Sequence, residues 1–250
     1  MTTGVLLYCF DTPEIKYHKL LERCVSQIKK HLNLEITVVT NIETFKNISP
    51  LGMINYKLVE NSTTNNRPYR GKSIAWYNKE RSLAYDHSPY DTTILMDCDF
   101  FVFSDMLLEL CKCNFDFMLH DKVYDATGED MILGKDECTI PLVWATVTIF
   151  RKTKKCKDLF AMIKHVQKNY AHYKNLYRIK YPNYRNDFAF AIAMHQLNTG
   201  QLIPTPMAML ADKVDIVEAD ADGIAYEYNN KVNYISGHDV HIMDKDWCNG

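Results

Sequence analysis

Strand-length apolar runs alternate with helical stretches over the first hundred residues, and this alternation restricts the chain to few folds. The runs at residues 5–10, 34–40, 53–59 and 92–96 are predicted strands. Residues 16–32 carry apolar side chains at helical spacing, and residues 73–85 form a second predicted helix after a polar loop at 62–69. This order predicts an α/β fold with a Rossmann-like, mixed but mostly parallel sheet flanked by helices.

The second half of the chain has a less regular pattern. Strand-like stretches at 115–120 and 142–150 are followed by predicted helices at 158–177 and 187–197, and by short predicted strands at 214–217, 224–228 and 232–236. No repeat or low-complexity linker separates the two halves. We therefore expect one domain over residues 1–250, with a ligand-binding half at 1–105 and an elaborated half at 106–250.

Composition excludes several classes of protein. The 250 residues are 47% hydrophobic and 24% charged, which is ordinary for a globular domain. No run approaches the roughly 18 apolar residues of a membrane span, and the first residues lack the basic segment of a signal peptide. The eight cysteines form no CxxC pair, and Cys111 and Cys113 lack a partner pair for a metal site. We therefore expect reduced thiols and a location in the cytoplasm, which for a viral protein would be the cytoplasm of the host.

Two carboxylates, Asp97 and Asp99, end the most apolar strand in the run TTILMDCDFFVFSD. In extended backbone, residues i and i+2 point the same way, so both acids should face one ligand while Cys98 turns to the core. Open parallel sheets bind ligands beyond the carboxyl ends of their strands. Oxygen ligands there suit Mg²⁺ or Mn²⁺, which would clamp a diphosphate leaving group. A capped or solvated strand end is the structural alternative.

The segment SPYDTTILMDCDFFVFSD resembles the part of GT-A-type nucleotide-sugar glycosyltransferases that contains their Asp-x-Asp motif, and GKSIAWYNKERSLAY is similar to the preceding helix. The resemblance is strongest over residues 72–105. It implies a GT-A-like fold, a metal-dependent glycosyltransferase activity and a nucleotide-sugar donor, most commonly a UDP-sugar. By this resemblance Asp97 would help to hold the ribose, Asp99 would bind the ion, and Tyr8 and Phe10 would flank the base.

The resemblance also implies a metal ligand near the C-terminus, commonly a histidine. The run SGHDVHIMDKD offers His238 and His241. We favour His241, because Lys245 follows it in the manner of relatives in which a lysine grips the diphosphate. Ordinary surface histidines are the structural alternative. Basic residues upstream of the acid pair are further candidates for the donor phosphates: Lys72, Lys79 and Arg81.

Asp187 is the candidate catalytic residue. In YRNDFAFAIAMHQ, Asn186 and Asp187 precede an apolar helical run, and a helix N-cap explains them structurally. By the resemblance, an acid in this region faces the acceptor, where it would deprotonate the attacking hydroxyl or stabilise positive charge developing on the sugar. His195 is expected to be structural, and Trp144 is a candidate for the acceptor side.

Charge is unevenly distributed, although the net charge is only −2. Residues 151–185 carry eleven Lys or Arg, one acid and five tyrosines, whereas residues 211–246 carry nine acids and three lysines. Basic residues bind phosphate backbones and aromatic rings stack on bases, so a nucleic-acid acceptor is one hypothesis. A solvated helix face with inward-packing tyrosines is the alternative. The candidate acceptor contacts are Lys154, Lys155, Lys157 and Arg185.

The chain is also similar in general style to small glycosyltransferases of tailed phages, some of which transfer glucose or arabinose to hydroxylated cytosine in viral DNA. That likeness would make a base such as 5-hydroxymethylcytosine the acceptor. Three alternatives stay open: transfer to a glycan or protein, a non-catalytic nucleic-acid-binding protein, and an aspartate-nucleophile phosphatase. In the phosphatases, small or β-branched residues follow the two acids, whereas Phe100 and Phe101 follow them here.

Overall fold

A computed structural model describes residues 1–60, 65–69, 71–77, 79–128, 138–211 and 214–245. The strands are β1 Thr3–Tyr8, β2 Glu35–Thr40, β3 Asn55–Leu58, β4 Asn65–Tyr69, β5 Lys72–Trp76, β6 Thr92–Asp97, β7 Phe100–Phe101, β8 Phe117–His120, β9 Val123–Asp125, β10 Trp144–Arg151, β11 Gln201–Leu202, β12 Met207–Leu210, β13 Asp215–Ala219, β14 Gly223–Tyr228, β15 Lys231–Ser236 and β16 Val240–Ile242. The α-helices are α1 Tyr17–Gln27, α2 Ile42–Phe45, α3 Ala84–His87, α4 Met106–Lys112, α5 Lys154–Lys168, α6 Tyr170–Leu176 and α7 Asn186–Leu197. None of the helices in these ranges is long and apolar enough to cross a bilayer.

The main sheet has seven strands in the order β11-β8-β10-β6-β1-β2-β3. β1 is parallel to β2 and β6, β2 is parallel to β3, and β8 is parallel to β11. Among the described strands of this sheet, only β10 is antiparallel to its neighbours, which are β6 and β8. The predicted mixed, mostly parallel sheet flanked by helices is therefore confirmed.

The strict alternation of side chains along the central strands gives the sheet a core on each face. Val5, Leu7 and Cys9 pack in the cluster that includes α1, whereas Leu6 and Tyr8 pack in the cluster that includes α5 and α7. Because every second residue faces the same way, an unbroken apolar strand such as β1 fills both cores. The carboxyl ends of β1 and β6 are thereby fixed side by side, with Tyr8 opposite Asp97.

Three smaller sheets extend this frame. β7, β16, β12 and β9 form a four-stranded sheet, β13 to β15 form an antiparallel sheet, and β4 and β5 form a hairpin. The shortest of these strands has the largest effect on the site. β7 begins one residue after Asp99 and pairs antiparallel with β16, so that His241 lies opposite Phe100.

The predicted helix at residues 73–85 is wrong. The structure has β5, then a 3-10 helix at Lys79–Leu83, and then the single turn α3. The apparent helical spacing came from side chains that belong to different elements. Gly71 adopts a φ of 76°, which suits a tight hairpin turn, and Lys72 to Trp76 pair with Tyr69 to Asn65. The strand β4 likewise replaces part of the predicted loop, of which residues 62–64 lie outside the described residues.

The remaining predicted helices have shifted ends. The helix predicted at 158–177 begins earlier, after Thr153, whose side chain accepts a hydrogen bond from the Cys156 amide, and it is interrupted near Asn169 between α5 and α6. The helix predicted at 16–32 is α1 followed by a π-helical turn, and it ends at Asn33 with a φ of 50°. The earlier start of α5 brings Lys154, Lys155 and Lys157 into this helix, whereas Asp187 stays at the start of its predicted helix.

Candidate functional site

A pocket lies at the carboxyl edge of β1 and β6, where the sequence places its acid pair. The space between its walls and across its open mouth is about 970 Å³. The lining residues come from β1, α1, the β5 end, β6, β10, α7 and the chain after β16. They are Tyr8, Phe10, Tyr17, Trp76, Tyr77, Arg81, Asp97, Cys98, Asp99, Trp144, Ala145, Thr146, Tyr181, Tyr184, Arg185, Asn186, Asp187, His241, Met243 and Lys245.

Asp97, Asp99 and His241 converge at the floor of this pocket. Each offers a ligand atom, and the three atoms lie within 4.8 Å of one another. Asp97 ends β6, a turn follows, and Asp99 precedes β7, so the two acids share one side while Cys98 is buried in the core. The short pairing of β7 with β16 brings in the third group across more than 140 residues of chain.

His241 is held in place by the backbone around it. The Ile242 amide donates to the Asp99 carbonyl oxygen at 2.9 Å, and His241 Nδ1 lies 3.4 Å from Thr146 Oγ1. Its Nε2 therefore points at Asp99, with 3.3 Å between Nε2 and Oδ1. His238, the other candidate, is exposed and lies outside the cluster.

The residues present fit a divalent ion. Asp99 Oδ1 is buried, and in the part of the chain that the structure describes it has a long 3.3 Å contact with His241 Nε2 but no hydrogen bond of good geometry. A buried carboxylate oxygen in that state is costly unless a cation or a donor meets it. Two carboxylates and an imidazole are a ligand set used by Mn²⁺ and other first-row ions, and carboxylates alone also suit Mg²⁺.

Each acid at the floor also has a protein cation beside it. The buried Arg81 guanidinium donates from Nη1 to Asp97 and from Nη2 to the Ala145 carbonyl oxygen, and the Lys245 ammonium donates to Asp99 Oδ2. Burial raises the pKa of Asp97 although Arg81 opposes this. Burial would also raise the pKa of Asp99, but Lys245 and His241 outweigh it and lower that pKa.

Asp187 faces the pocket from the first turn of α7 with both of its oxygens engaged. Oδ1 accepts from the Ala145 amide at 2.8 Å. Oδ2 accepts from Arg185 Nε at 2.9 Å, and Arg185 Nη2 lies 2.7 Å from the same oxygen. Arg185 occupies the N-cap position, so the alternative explanation of Asp187 as the N-cap is wrong. The Ala145 carbonyl oxygen accepts a hydrogen bond from Arg81, which also bonds Asp97. Ala145 therefore connects Asp187, through its amide, with Asp97, through Arg81.

Aromatic side chains line much of the remaining surface. Tyr8 and Phe10 extend from the end of β1, and the Tyr8 hydroxyl lies 3.0 Å from His87 Nδ1. Burial lowers the pKa of His87 to about 4, so this histidine is neutral near pH 7 and pairs with the Tyr8 hydroxyl as an uncharged ring. Burial raises the pKa of Tyr8, and the phenol keeps its proton.

Of the basic residues predicted to contact the donor phosphates, Arg81 lines the pocket and Lys72 and Lys79 do not. Lys72 is exposed on the hairpin, and Lys79 lies outside the pocket lining. The guanidinium of Arg81 donates hydrogen bonds to Asp97 and to the backbone carbonyl oxygens of Ala145 and Thr146. These three residues were predicted to have the same role, because the run GKSIAWYNKERSLAY resembles a single helix of the glycosyltransferases.

The lysines proposed to contact a nucleic acid lie near the amino end of β6, whereas the pocket lies at its carboxyl end. These α5 lysines, Lys154, Lys155 and Lys157, follow β10, and β10 runs antiparallel to β6 with Arg151 opposite Thr92. Five residues of β6, about 16 Å, separate that end from Asp97. The α5 lysines are exposed, and two of them pair with nearby acids at 3.3–3.4 Å. Only Arg185 of the four basic candidates reaches the pocket.

The tyrosines of the basic segment pack inward. Tyr173, Tyr177 and Tyr184 are buried in the core under α5 and α7, and Tyr170 and Tyr181 pack partly against it. The alternative of a solvated basic face with inward tyrosines therefore describes this segment, and the structure gives no support to a DNA acceptor bound along it.

Several lining residues were not predicted as site residues: Tyr17, Trp76, Tyr77, Thr146, Tyr181, Tyr184, Asn186 and Met243. Trp76 and Tyr77 were hidden by the wrong helix assignment. Tyr181 is the tyrosine of a Lys-Tyr-Pro run, and its position six residues before the predicted acceptor-side acid is the one feature of the sequence that would have indicated it.

No protein-family model matches the sequence, and no curated protein does. Solved structures do match. The galactosyltransferase LgtC in complex with donor and acceptor sugar analogues is 12% identical, with a TM-score of 0.55 over 80% of this chain and 72% of that chain. An active-site mutant of LgtC is 11% identical, with a TM-score of 0.58 over 96% of this chain and 87% of that chain.

A third match, the glycosyltransferase GlyE of Streptococcus pneumoniae TIGR4, has a TM-score of 0.47 at 12% identity over 82% of this chain, and the chain spans less than half of it, 46%. The two LgtC matches are too low in identity to show more than the fold. That fold is the α/β GT-A fold of glycosyltransferases.

Proposed function

We propose that this chain transfers a sugar from a nucleotide-diphosphate sugar to an acceptor hydroxyl with the help of Mn²⁺ or Mg²⁺. The observation that carries the proposal is the convergence of Asp97, Asp99 and His241 in a pocket at the carboxyl edge of a GT-A sheet. LgtC, which shares the fold, is a galactosyltransferase whose structure holds donor and acceptor sugar analogues. UDP is our proposal for the nucleotide.

A bound divalent ion would supply the charge that stabilises the departing nucleoside diphosphate. Asp97, Asp99 and His241 would hold it, and the buried Arg81 and Thr146 keep two of these ligands in place. Lys245 already lies against Asp99. Its ammonium is a second positive charge at the same point, available to a phosphate oxygen of the donor.

The ends of β1 and β6 supply the proposed nucleotide site. Tyr8 and Phe10 present rings at the pocket wall next to Asp97, and the neutral His87 fixes the Tyr8 hydroxyl. A ring held in this way is preorganised for stacking, since little side-chain freedom is lost on binding. We propose that these rings flank the base, and that Asp97 contacts the ribose as well as the ion.

Asp187 is proposed to act on the acceptor side as a fixed negative charge. Both carboxylate oxygens of Asp187 already accept hydrogen bonds, one from the Ala145 amide and the other from the Arg185 guanidinium. Its geometry therefore favours stabilising positive charge at the sugar and orienting the acceptor hydroxyl over removing a proton. Of the two roles that the sequence left open, the contacts of Asp187 support this one.

The rival functions find less support in the site. In the aspartate-nucleophile phosphatases small or β-branched residues follow the two acids, whereas the buried Phe100 and Phe101 follow them here. A non-catalytic binder has no need of a histidine brought beside two acids. Glycosyl transfer uses all of these groups.

Release of sugar from the donor tests this proposal. Purified protein is incubated with UDP-glucose, UDP-galactose, UDP-arabinose and other nucleotide-sugars with Mn²⁺ or Mg²⁺, and free sugar and transfer products are measured by mass spectrometry. We expect turnover of at least one donor, and its loss by about a thousandfold in Asp99→Asn, since the ion's stabilisation is worth several kcal/mol.

Asp158→Asn is the matched control, because Asp158 is a half-exposed acid of α5 outside the pocket. Turnover that persists in excess chelator would remove the metal from the proposal. Full turnover in Asp99→Asn would contradict the assignment of the site itself.

A further inference from the structure

His241 is brought to Asp99 by a very short strand pairing. β7 and β16 pair through two residue pairs, His241 with Phe100 and Val240 with Phe101. In the sheet that the structure describes, β12 pairs with the other side of β16 and not with β7, so it does not set the distance between the two ligands. Short two-stranded ladders are only marginally stable, and this one needs further support to hold the ligands together.

Asp239 connects the same two segments beyond the end of that pairing. Its Oδ1 accepts hydrogen bonds from the Phe103 amide, the Ser104 amide and the Ser104 hydroxyl, each at 2.9 Å. The side chain is only 6% exposed. The residue two positions before His241 is thus bonded to the chain that continues from Asp99 through β7. Hydrogen bonds to a carboxylate are stronger than those between neutral groups, so these three add substantially to the ladder.

Stability alone does not account for an acid at this position. Asp239 Oδ2 is buried and has no hydrogen bond to any residue that the structure describes. Burying a carboxylate oxygen without a partner costs free energy. The three donors that Oδ1 brings together are what this side chain provides in return.

We propose that Asp239 is a positioning residue of the ion site, a conclusion that rests on the proposed function. Asp239 is not one of the three ligands and does not line the pocket. It acts through His241, by holding β16 against the residues that follow β7, so that Nε2 of the imidazole stays 3.3 Å from Asp99 Oδ1. Changing a residue that orients a metal ligand typically weakens metal binding by about 10–100-fold.

Three variants and one control separate positioning from general stability. Asp239→Ala removes all three hydrogen bonds, and Ser104→Ala removes the hydroxyl donor alone. Asp239→Asn keeps an oxygen that can accept from the same donors. Gly4→Ala is the control for lost stability, because its Cβ would lie 2.4 Å from the Tyr90 ring near the amino end of β1, away from the pocket.

The experiment measures Mn²⁺ bound to the full chain by electron paramagnetic resonance, with no donor present. We expect the Kd to rise about 10–100-fold in Asp239→Ala and about threefold in Ser104→Ala, and to stay within about threefold of the wild type in Asp239→Asn. Pulsed measurements detect coupling of the ion to a ligating imidazole nitrogen. This coupling should be present in the wild type and lost in Asp239→Ala, as in His241→Ala. Gly4→Ala should lower the urea midpoint and leave both readouts unchanged.

The results that would overturn the inference are distinct from those that would overturn the proposed function. Wild-type affinity and nitrogen coupling in Asp239→Ala, or an equal loss in Gly4→Ala, would exclude the positioning role and leave the ion site standing. If Asp239→Ala does not fold, Ser104→Ala decides, and a Kd unchanged in that variant would exclude the role. Absence of Mn²⁺ binding by the wild type would instead contradict the proposed ion site.

Discussion

The buried pair of Asp99 and Lys245 makes a quantitative prediction. Both side chains are less than one-tenth exposed, at 8% and 3%. Replacing Asp99 by the isosteric asparagine keeps the Ile242 carbonyl oxygen 3.0 Å from the ammonium but removes the carboxylate charge that the ammonium contacts. Removing one partner of a buried ion pair costs about 3–5 kcal/mol. For a chain of this size each kcal/mol lowers Tm by about 2–4 °C, so we expect a fall of about 10 °C.

A double-mutant cycle separates the pair from its surroundings. Lys245→Met leaves Asp99 beside His241, and the double variant Asp99→Asn with Lys245→Met buries no unpaired charge. We expect the double variant to be more stable than the sum of the single changes predicts, by about 2 kcal/mol. Urea unfolding in chelator, followed by tryptophan fluorescence, measures all three free energies of unfolding.

The exposed pair of Lys154 and Asp158, 3.4 Å apart, provides the control cycle, and its coupling should stay below about 1 kcal/mol. Additive effects at Asp99 and Lys245, within about 0.5 kcal/mol, would refute the reasoning. They would mean that the ammonium reaches water in the folded protein, and that it is not held at the pocket floor.

Three further predictions concern the frame around the site. Burial lowers the pKa of His120 from 6.5 to about 4, so the unfolded chain takes up a proton first as pH falls. The free energy of unfolding should therefore fall by about 2 kcal/mol between pH 7.5 and 5 because of this residue. In urea unfolding, His120→Asn should show a smaller fall over the same range. A Cβ on Gly4 would lie 2.4 Å from the buried Tyr90 ring, so Gly4→Ala should cost about 1–3 kcal/mol in the same assay, and an unchanged midpoint would contradict the packing. Charge reversal at the α5 lysines should leave sugar transfer within about twofold, and a large loss would place the acceptor on that face.

The acid pair is the part of the site that the sequence predicts best. Its position depends on local structure, because the apolar strand ends at Asp97 and the turn that follows places Asp99 close to it. Asp97 and Asp99 therefore meet as expected. His241 depends on the pairing of β7 with β16, which are two and three residues long, and periodicity cannot detect strands that short.

The pairing of charges could not be read from the sequence. Arg81 reaches Asp97 only because a hairpin and a 3-10 helix replace the predicted helix, and the partners of Arg185 and Lys245 depend on how separate segments pack. A count of charges along the sequence also does not tell which end of the sheet the charged side chains lie at. It identified residues 151–185 as strongly basic, but the antiparallel β10 carries the α5 lysines to the edge away from the pocket.

Binding of Mn²⁺ at Asp97, Asp99 and His241 tests the central claim most directly. Electron paramagnetic resonance of the full chain, titrated with Mn²⁺ with and without UDP, counts bound ions before any turnover. We predict one ion per chain, tighter binding with UDP, and at least tenfold weaker binding in Asp99→Asn, while the exposed His238→Ala stays like the wild type. Binding that Asp99→Asn leaves unchanged, or that His238→Ala weakens equally, would contradict the claim.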